Sequence, residues 1–391
     1  MSDVLLSIVV PTKNRVEYLK ALIEIFCGFR RNDLELVIED NSDDNTEIVN
    51  YIRTIKDKKI IYNYEKRLLS VVENSDRAIL HSSGKYVCFI GDDDLLSESV
   101  GEFVECMDKY GYESAMFQVA KYYWPGIEFR THKFPNLVIN DFKGEIKEIS
   151  VKQELYKILM HGASSLEMAP KVYHGIVRRS CLDQIFDKTG TFFPGPSPDM
   201  ANAVALSLIV KKHIYCDVPF ISAGASPKSA AGLGTKHKHE GNLKDMSFLP
   251  NDVEEKWNLR IPKVWTGPTI YAQSASSALK EMGREDLLVY FDYNYHYAYF
   301  VTFCPNYKTF FYNSFRDVDC FSKGKYNLSL IKVFCIRVHK FLQNIKLTKF
   351  HMGGLLKTDI STSIEAEEVI DKMVNKIKIE ELFQKICSDD N

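Results

Sequence analysis

Leu5 to Val10 is an apolar run, interrupted only by Ser7 and rich in β-branched residues, and it stops at Pro11-Thr12-Lys13-Asn14-Arg15. A strand of that composition is buried on both faces, which calls for helices above and below and favours parallel neighbours. The pattern recurs. Leu34 to Ile38 stops at Glu39-Asp40-Asn41-Ser42-Asp43-Asp44-Asn45, Ile60 to Tyr64 is a third strand, and Tyr86 to Ile90 delivers Gly91-Asp92-Asp93-Asp94. Between them, apolar residues keep helical spacing: Leu19, Leu22, Ile23 and Phe26, then Ile48, Val49, Ile52 and Ile55, then residues 70–82, closed by Gly84. Asn14 with Glu17 three residues on reads as a capping box. The alternation predicts an α/β fold with a Rossmann-like, doubly wound and mainly parallel sheet. Ligands of such sheets gather beyond the carboxyl ends of the strands. The polar clusters at 11–15, 40–45 and 91–94 are therefore expected on one edge.

Further along, the spacing predicts a helix near 98–110, a strand over 114–123, an irregular stretch to 148, a strand from Val172 to Val177 and a short helix from Cys181 to Asp187. The loop Phe192-Phe193-Pro194-Gly195-Pro196-Ser197-Pro198 leads to Asp199, which opens an apolar helix to about Val210. Residues 222–242 are small, flexible and basic, and read as a mobile lid. We place a first domain at 1–245 and a mostly helical C-terminal region at 246–391. Within the latter, residues 291–360 carry ten Lys/Arg against four Asp/Glu. Val333, Val338, Phe341 and Ile345 suggest a helix with basic residues alongside, either a plain charged face or a peripheral membrane contact. Ile370, Met373, Val374, Ile377, Ile379, Leu382, Phe383 and Ile386 suggest one amphipathic helix over 365–387, packed on the domain or on a partner subunit in a homo-oligomer.

Composition narrows the classes. A net charge of −2 gives no global pull toward nucleic acid or membrane. Nine cysteines are scattered without a CxxC pair, as in a reduced cytoplasmic chain. No secretory leader is recognisable at the first residues, and no apolar run reaches the ~18 residues of a membrane span. The expected location is the cytoplasm, with association at the inner face of the membrane.

Three adjacent carboxylates at a strand end repel one another unless a cation sits among them. A hard divalent ion, Mg²⁺ or Mn²⁺, takes oxygen ligands and is commonly shared with substrate phosphates. The rival reading is a solvated acidic turn before a helix.

Ser7-Ile8-Val9-Val10-Pro11-Thr12-Lys13-Asn14-Arg15, Leu36-Val37-Ile38-Glu39-Asp40-Asn41-Ser42, Asn74-Ser75-Asp76-Arg77-Ala78-Ile79 and Gly84-Lys85-Tyr86-Val87-Cys88-Phe89-Ile90-Gly91-Asp92-Asp93-Asp94 together resemble, in order and spacing, the family-2 inverting glycosyltransferases of GT-A fold and their DxD motif. The resemblance is close over roughly the first 110 residues and looser to about 245. It implies that Pro11, Thr12, Asn14 and Arg15 line a nucleotide pocket. Asp40 would contact the base, typically uracil, and Asn74 and Arg77 the base or diphosphate. Asp92 would face the ribose. Asp93, or alternatively Asp94, would ligate the metal, with His239 or His237 as a late third ligand. Many members carry Asp where this chain has Gly91, so the DxD letters lie on 92–94 or lack their first Asp.

Inverting transfer also needs a base for the acceptor hydroxyl. Asp199 stands where the family places it, with Pro198-Asp199 in place of the more usual Glu-Asp; the competing reading is a helix N-cap. His174 reads as a donor or acceptor contact or as a core histidine, and Lys228 as a lid residue on the diphosphate or a linker charge. Asn14, Asp40 and Arg77 likewise have plain readings as cap, turn former and surface charge. The implied activity is sugar transfer from a UDP-sugar to a glycan or lipid-linked glycan, of the kind that builds bacterial O-antigen or capsule. Two rivals stand beside it. A nucleotidyltransferase of similar fold would carry a Gly-rich loop after the first strand, which Pro11-Thr12-Lys13-Asn14 lacks. A non-catalytic glycan-binding protein would not need Asp199.

Overall fold

The computed structural model describes residues 4–389 apart from 128–135, 230–231, 233–239, 247, 250–251, 315–320 and 351–352. Among the described residues thirteen strands form two sheets: β1 (Leu6–Thr12), β2 (Leu34–Asp40), β3 (Ile60–Tyr64), β4 (Tyr86–Phe89), β5 (Leu95–Leu96), β6 (Ser114–Phe117), β7 (Ala120–Tyr123), β8 (Leu137–Asn140), β9 (Ile146–Glu148), β10 (Gly175–Arg178), β11 (His213–Cys216), β12 (Ile221–Ala225) and β13 (Gly354–Lys357). The larger sheet runs β3-β2-β1-β4-β10-β6-β11-β9 and the smaller β13-β8-β7-β12-β5. β3, β2, β1 and β4 are parallel, as the apolar runs predict. β10 is antiparallel to both β4 and β6.

Helix Val16–Cys27 buries Leu19, Leu22, Ile23 and Phe26, the residues its spacing singles out. Its N-terminus departs from expectation. Arg15 is the N-cap residue, without a side-chain bond, and Asn14 stands at φ 57 outside the helix. Asn14 is turned away to Ser42 and Asp43, and the capping box appears instead at helix Val71–Leu80, between Ser70 and Glu73.

The segment 114–123 is two strands rather than one. β6 belongs to the large sheet and β7 to the small, so the chain changes sheet between Phe117 and Ala120. Residues 221–225, expected within or beside a loose lid, are strand β12, paired with β7 and β5. Runs of Ser, Ala and Gly read as loop in a sequence, yet they suit a strand whose backbone is closely approached.

Beyond 245 the chain takes two courses. Helices Gly267–Glu281, Tyr293–Phe303 and Lys323–Phe350 build a layer around an aromatic cluster that includes Trp257, Trp265, Tyr297 and Phe300. Residues 354–389 then return to the first core. β13 pairs with β8, and the single helix expected over 365–387 is a pair, Ser363–Val374 and Ile379–Asp389. Ile370, Val374, Ile379, Leu382 and Phe383 join the cluster of Leu6, Ile8 and Phe103, so this segment packs on its own chain. Phe383 contacts Phe103, Tyr110 and Tyr112, and Glu380 meets Lys109 and Tyr110.

Candidate active site

The parallel strands end together. Asn41 N–H donates to Thr12 O, Ile90 N–H to Val9 O and His174 N–H to Phe89 O, which ties the four polar turns into one rim. Asn41 also clamps residues 65–69: its Nδ2 donates to Glu65 O and Arg67 O, and Leu69 N–H donates to its Oδ1. Asn14 locks onto the second turn through Ser42 Oγ, which accepts its N–H at 2.7 Å, and Asp43. Asp40 is buried, with Oδ1 accepting from Ser42 N–H and Oδ2 from Tyr62 Oη, each at 2.8 Å.

The three aspartates diverge. Asp92 accepts from Thr12 Oγ1 and from Arg15 Nε, the latter at 3.0 Å. Its Oδ1 lies 2.7 Å from Arg15 Nη2, an ion pair without hydrogen-bond alignment, so a fully buried oxygen retains capacity for a partner. Burial pushes its carboxyl up to about 7, Arg15 opposing and Asp93 adding to the rise. Asp93 is held by Ser226 N–H on Oδ2, while its carbonyl accepts from Trp124 Nε1. Burial and the neighbouring Asp94 raise its carboxyl too. Asp94 is fully engaged: Oδ2 accepts from Gly91 N–H at 2.6 Å and meets His174 Nε2 at 2.7 Å, and Oδ1 accepts from Gly224 N–H.

Two glycines make this packing possible. A Cβ on Gly224 would lie 1.7 Å from Asp93 O, so only glycine admits β12 against the acidic turn. A Cβ on Gly91 would lie 3.1 Å from Asp93 Oδ1. Glycine at 91 therefore lets the following carboxylates fold back without crowding.

His174 is bent into a left-handed conformation (φ 54) and stacks on Tyr173 at 4.0 Å between centroids. It precedes β10 rather than lying within a strand. Asp199 is the second residue of helix Pro198–Leu206, whose N-cap is Ser197, so it is not the cap. Burial raises its carboxyl against the pull of His174 and Lys171, and Tyr271 Oη donates to it at 3.4 Å. Burial lowers the Lys171 ammonium, which Asp199 counteracts. The helix-end effect that would weaken Asp199 as a base is thus outweighed by desolvation.

The other expected residues have the following surroundings. Arg77 Nε donates to the buried Glu39 at 2.7 Å and Nη1 lies 3.6 Å from Glu65; His81 Nδ1 holds the other Glu39 oxygen. Asn74 is buried beside Glu39 O, with its Oδ1 unpartnered. Pro11 lies in β1 opposite Glu39. Lys228 Nζ pairs with Glu17 at 2.7 Å. His237 and His239 fall outside the described residues. Lys171, Tyr271, Trp124, Ser226 and Glu39 went unread, because the contacts that define them join segments far apart in sequence.

Asp92 and Asp93 fit a divalent cation. They are buried, mutually repelling carboxylates, one with a spare oxygen, and Arg15 is the cation beside them. Among the described residues no three His, Cys, Asp or Glu side chains gather as a metal cluster. Diphosphate and water oxygens would complete the shell, as is usual for Mg²⁺.

Residues 7–185 match the model of glycosyl transferase family 2. No curated protein matches the chain. Among solved structures, S. aureus TarS 1–349 in complex with UDP-GlcNAc is 18% identical, with a TM-score of 0.42 over 56% of this chain and 58% of that one. A longer S. aureus TarS is 17% identical at a TM-score of 0.41, covering 57% of this chain, and this chain spans only 37% of its length. The mannosyltransferase PcManGT from Pyrobaculum calidifontis, in complex with GDP-Man and Mn²⁺, is 13% identical at a TM-score of 0.39 over 84% of this chain and 86% of that one. The span that carries Thr12, Arg15, Asp40, the three aspartates and His174 is thus the span that matches the glycosyl transferase family 2 model.

Proposed function

We propose that the protein is an inverting enzyme that moves a sugar from a UDP-sugar to a hydroxyl of a glycan or lipid-linked glycan. Residues 1–245 would form the donor and catalytic unit, braced by the returning segment 354–389, with the helical layer beyond 245 facing the acceptor. The observation that carries this reading is the pairing of two carboxylate environments on one rim: Asp92 and Asp93 beside Arg15, and Asp199 enclosed by His174, Lys171 and Tyr271.

Thr12, Asn14, Arg15 and Pro11 would line the nucleotide site, with Asp40 toward the base and Asn74, through its free Oδ1, nearby. Asp92 would face the ribose. Asp93 rather than Asp94 would hold the cation, since Asp94 already serves three donors. Mn²⁺ or Mg²⁺ bound there supplies charge neutralisation for the departing diphosphate. Arg15 adds a fixed positive charge on the same side. Asp199, its basicity raised by burial, would take the proton of the acceptor hydroxyl at a carboxylate oxygen, and Tyr271 would orient it. His174 contacts Asp94 and stabilises the charge on Asp199, which links the two halves of the site.

Titration of UDP with Mn²⁺, alongside transfer assays, tests the assignment. Asp93→Ala should lose metal-dependent UDP binding and transfer. Asp199→Asn should keep UDP binding and lose transfer by 10²-fold or more, as expected of roughly 10²–10⁴ for a general base. Full transfer in either variant overturns the assignment, and pyrophosphate release in place of UDP release would favour nucleotidyl transfer.

A further inference from the structure

Helix Lys323–Phe350 packs one side on helix Tyr293–Phe303 and buries Val333 there. Its other side is apolar and bare. Leu328, Ile331, Phe334, Val338, Phe341 and Leu342 recur at spacings of three and four and are exposed, Phe334 at 62% and Phe341 at 64%. A stripe of that length with no cover marks an interaction surface.

Charge selects the occupant. Between residues 323 and 350 there are seven Lys/Arg and no Asp or Glu, in a chain whose net charge is −2. Lys325 and Lys332, seven residues apart, follow one edge of the stripe, and neither has a carboxylate partner among the described residues. Both continue into a cavity of about 750 Å³ whose lining includes His161, Tyr290 and Tyr295. Two copies of this helix facing each other would set lysine against lysine with no acid to answer, which disfavours self-association. An anionic lipid surface answers both features: the apolar stripe enters the boundary between headgroups and acyl chains, and the lysines meet phosphate.

We propose that helix 323–350 docks the protein on an anionic bilayer, lying in the plane of the interface. No described helix is long and apolar enough to cross one. The docking helix rests on Tyr293–Phe303, which contacts Gly267–Glu281, and that helix carries Tyr271 to Asp199. A continuous stack of helices thus joins the membrane face to the proposed catalytic carboxylate. The docking itself does not depend on the reading of the donor site.

Co-flotation of the full chain with phosphatidylcholine vesicles, and with vesicles of phosphatidylcholine and phosphatidylglycerol in equal parts, tests the proposal. The protein should float with the anionic vesicles, less so as salt is raised. Each lysine near an anionic surface is worth roughly fivefold in partitioning, so Lys325→Glu with Lys332→Glu should weaken binding by about 25-fold or more. Phe334→Ser with Phe341→Ser should weaken it as well, and both variants should keep the wild-type Tm because the four side chains are exposed. Asp93→Ala should float like wild type, which separates this proposal from the donor-site reading. Equal binding to both vesicle types, or binding to neither, overturns the proposal. Lipid-free oligomers that the Phe variants dissociate, with no vesicle binding, would instead make the stripe an interface between copies.

Discussion

Gly224→Ala is the sharpest perturbation of the acidic turn, because its effect follows from distances alone. The added Cβ would sit 1.7 Å from Asp93 O, 2.4 Å from Asp93 C and 3.0 Å from Asp94 N. Ordinary contact begins at 3.4 Å, so the nearest approach is short by 1.7 Å, and every atom in the way is backbone. No rotamer change relieves it; β12 and the turn must separate. Overpacking typically costs 1–3 kcal/mol, and the upper end, about 3 kcal/mol, applies where backbone must yield. For a chain of this size that lowers Tm by roughly 4 °C. The separation also breaks the Gly224 N–H bond to Asp94 and strains those from Ser226 and Trp124 to Asp93. A displacement of about 1 Å in a catalytic group costs on the order of 10²-fold in rate. Calorimetry and donor-dependent transfer, measured on the same preparations, read both quantities. Gly267→Ala is the control: a Cβ there meets open space at a helix start and should change stability by no more than about 0.5 kcal/mol. A Gly224→Ala protein with wild-type Tm and wild-type transfer would refute the close approach of β12 to the acidic turn.

Two further expectations concern groups away from that turn. Arg77→Ala leaves the buried Glu39 with His81 alone, and breaking such a pair should cost about 3 kcal/mol in urea unfolding, whereas a residue that served only the nucleotide would lose donor affinity at unchanged stability. His213 and His296 are buried, and burial pulls both from the ordinary 6.5 to about 4. As pH falls the unfolded chain takes up their protons first, so the stability they contribute is complete above 6.5 and is lost between 6.5 and 4, by about 3 kcal/mol each. Asp76 and Asp92, pushed up to about 6 and about 7 by burial, act in the opposite sense over the acid range. The test is therefore a comparison: the acid-dependent part of the loss should shrink in His213→Gln relative to wild type in urea titrations at pH 7 and 4.5.

The parallel strands and the rim they form were legible because burial on both faces leaves a mainly apolar signature, and each strand stops at a polar turn. Leu6 to Val10 and Leu34 to Ile38 show this directly. The short strands were not legible. β5 has two residues and β9 three, too few for any alternation to register. β12 was hidden by its own composition, since Ser222, Ala223 and Gly224 are small for the sake of the turn they press on. Within the site, sequence proximity revealed the carboxylates but not their partners. Asp92 to Asp94 are adjacent in the chain, yet Arg15, His174 and Gly224 give them different surroundings. Arg77 shows the converse: its motif position implies a ligand contact, and the partner the structure gives it, Glu39, lies inside another block of the same motif.

The return of residues 354–389 to the first core has a consequence for the order in which the molecule is made. During synthesis the segment that holds the acidic turn emerges early, but Phe103, Tyr110 and Tyr112 lack the ring of Phe383 until it has left the ribosome. One edge of β8 likewise waits for β13, the other being paired with β7. The donor half is therefore completed after the helical layer rather than before it, and a nascent chain spends most of its elongation with an aromatic face open to chaperones or to a neighbouring polysome.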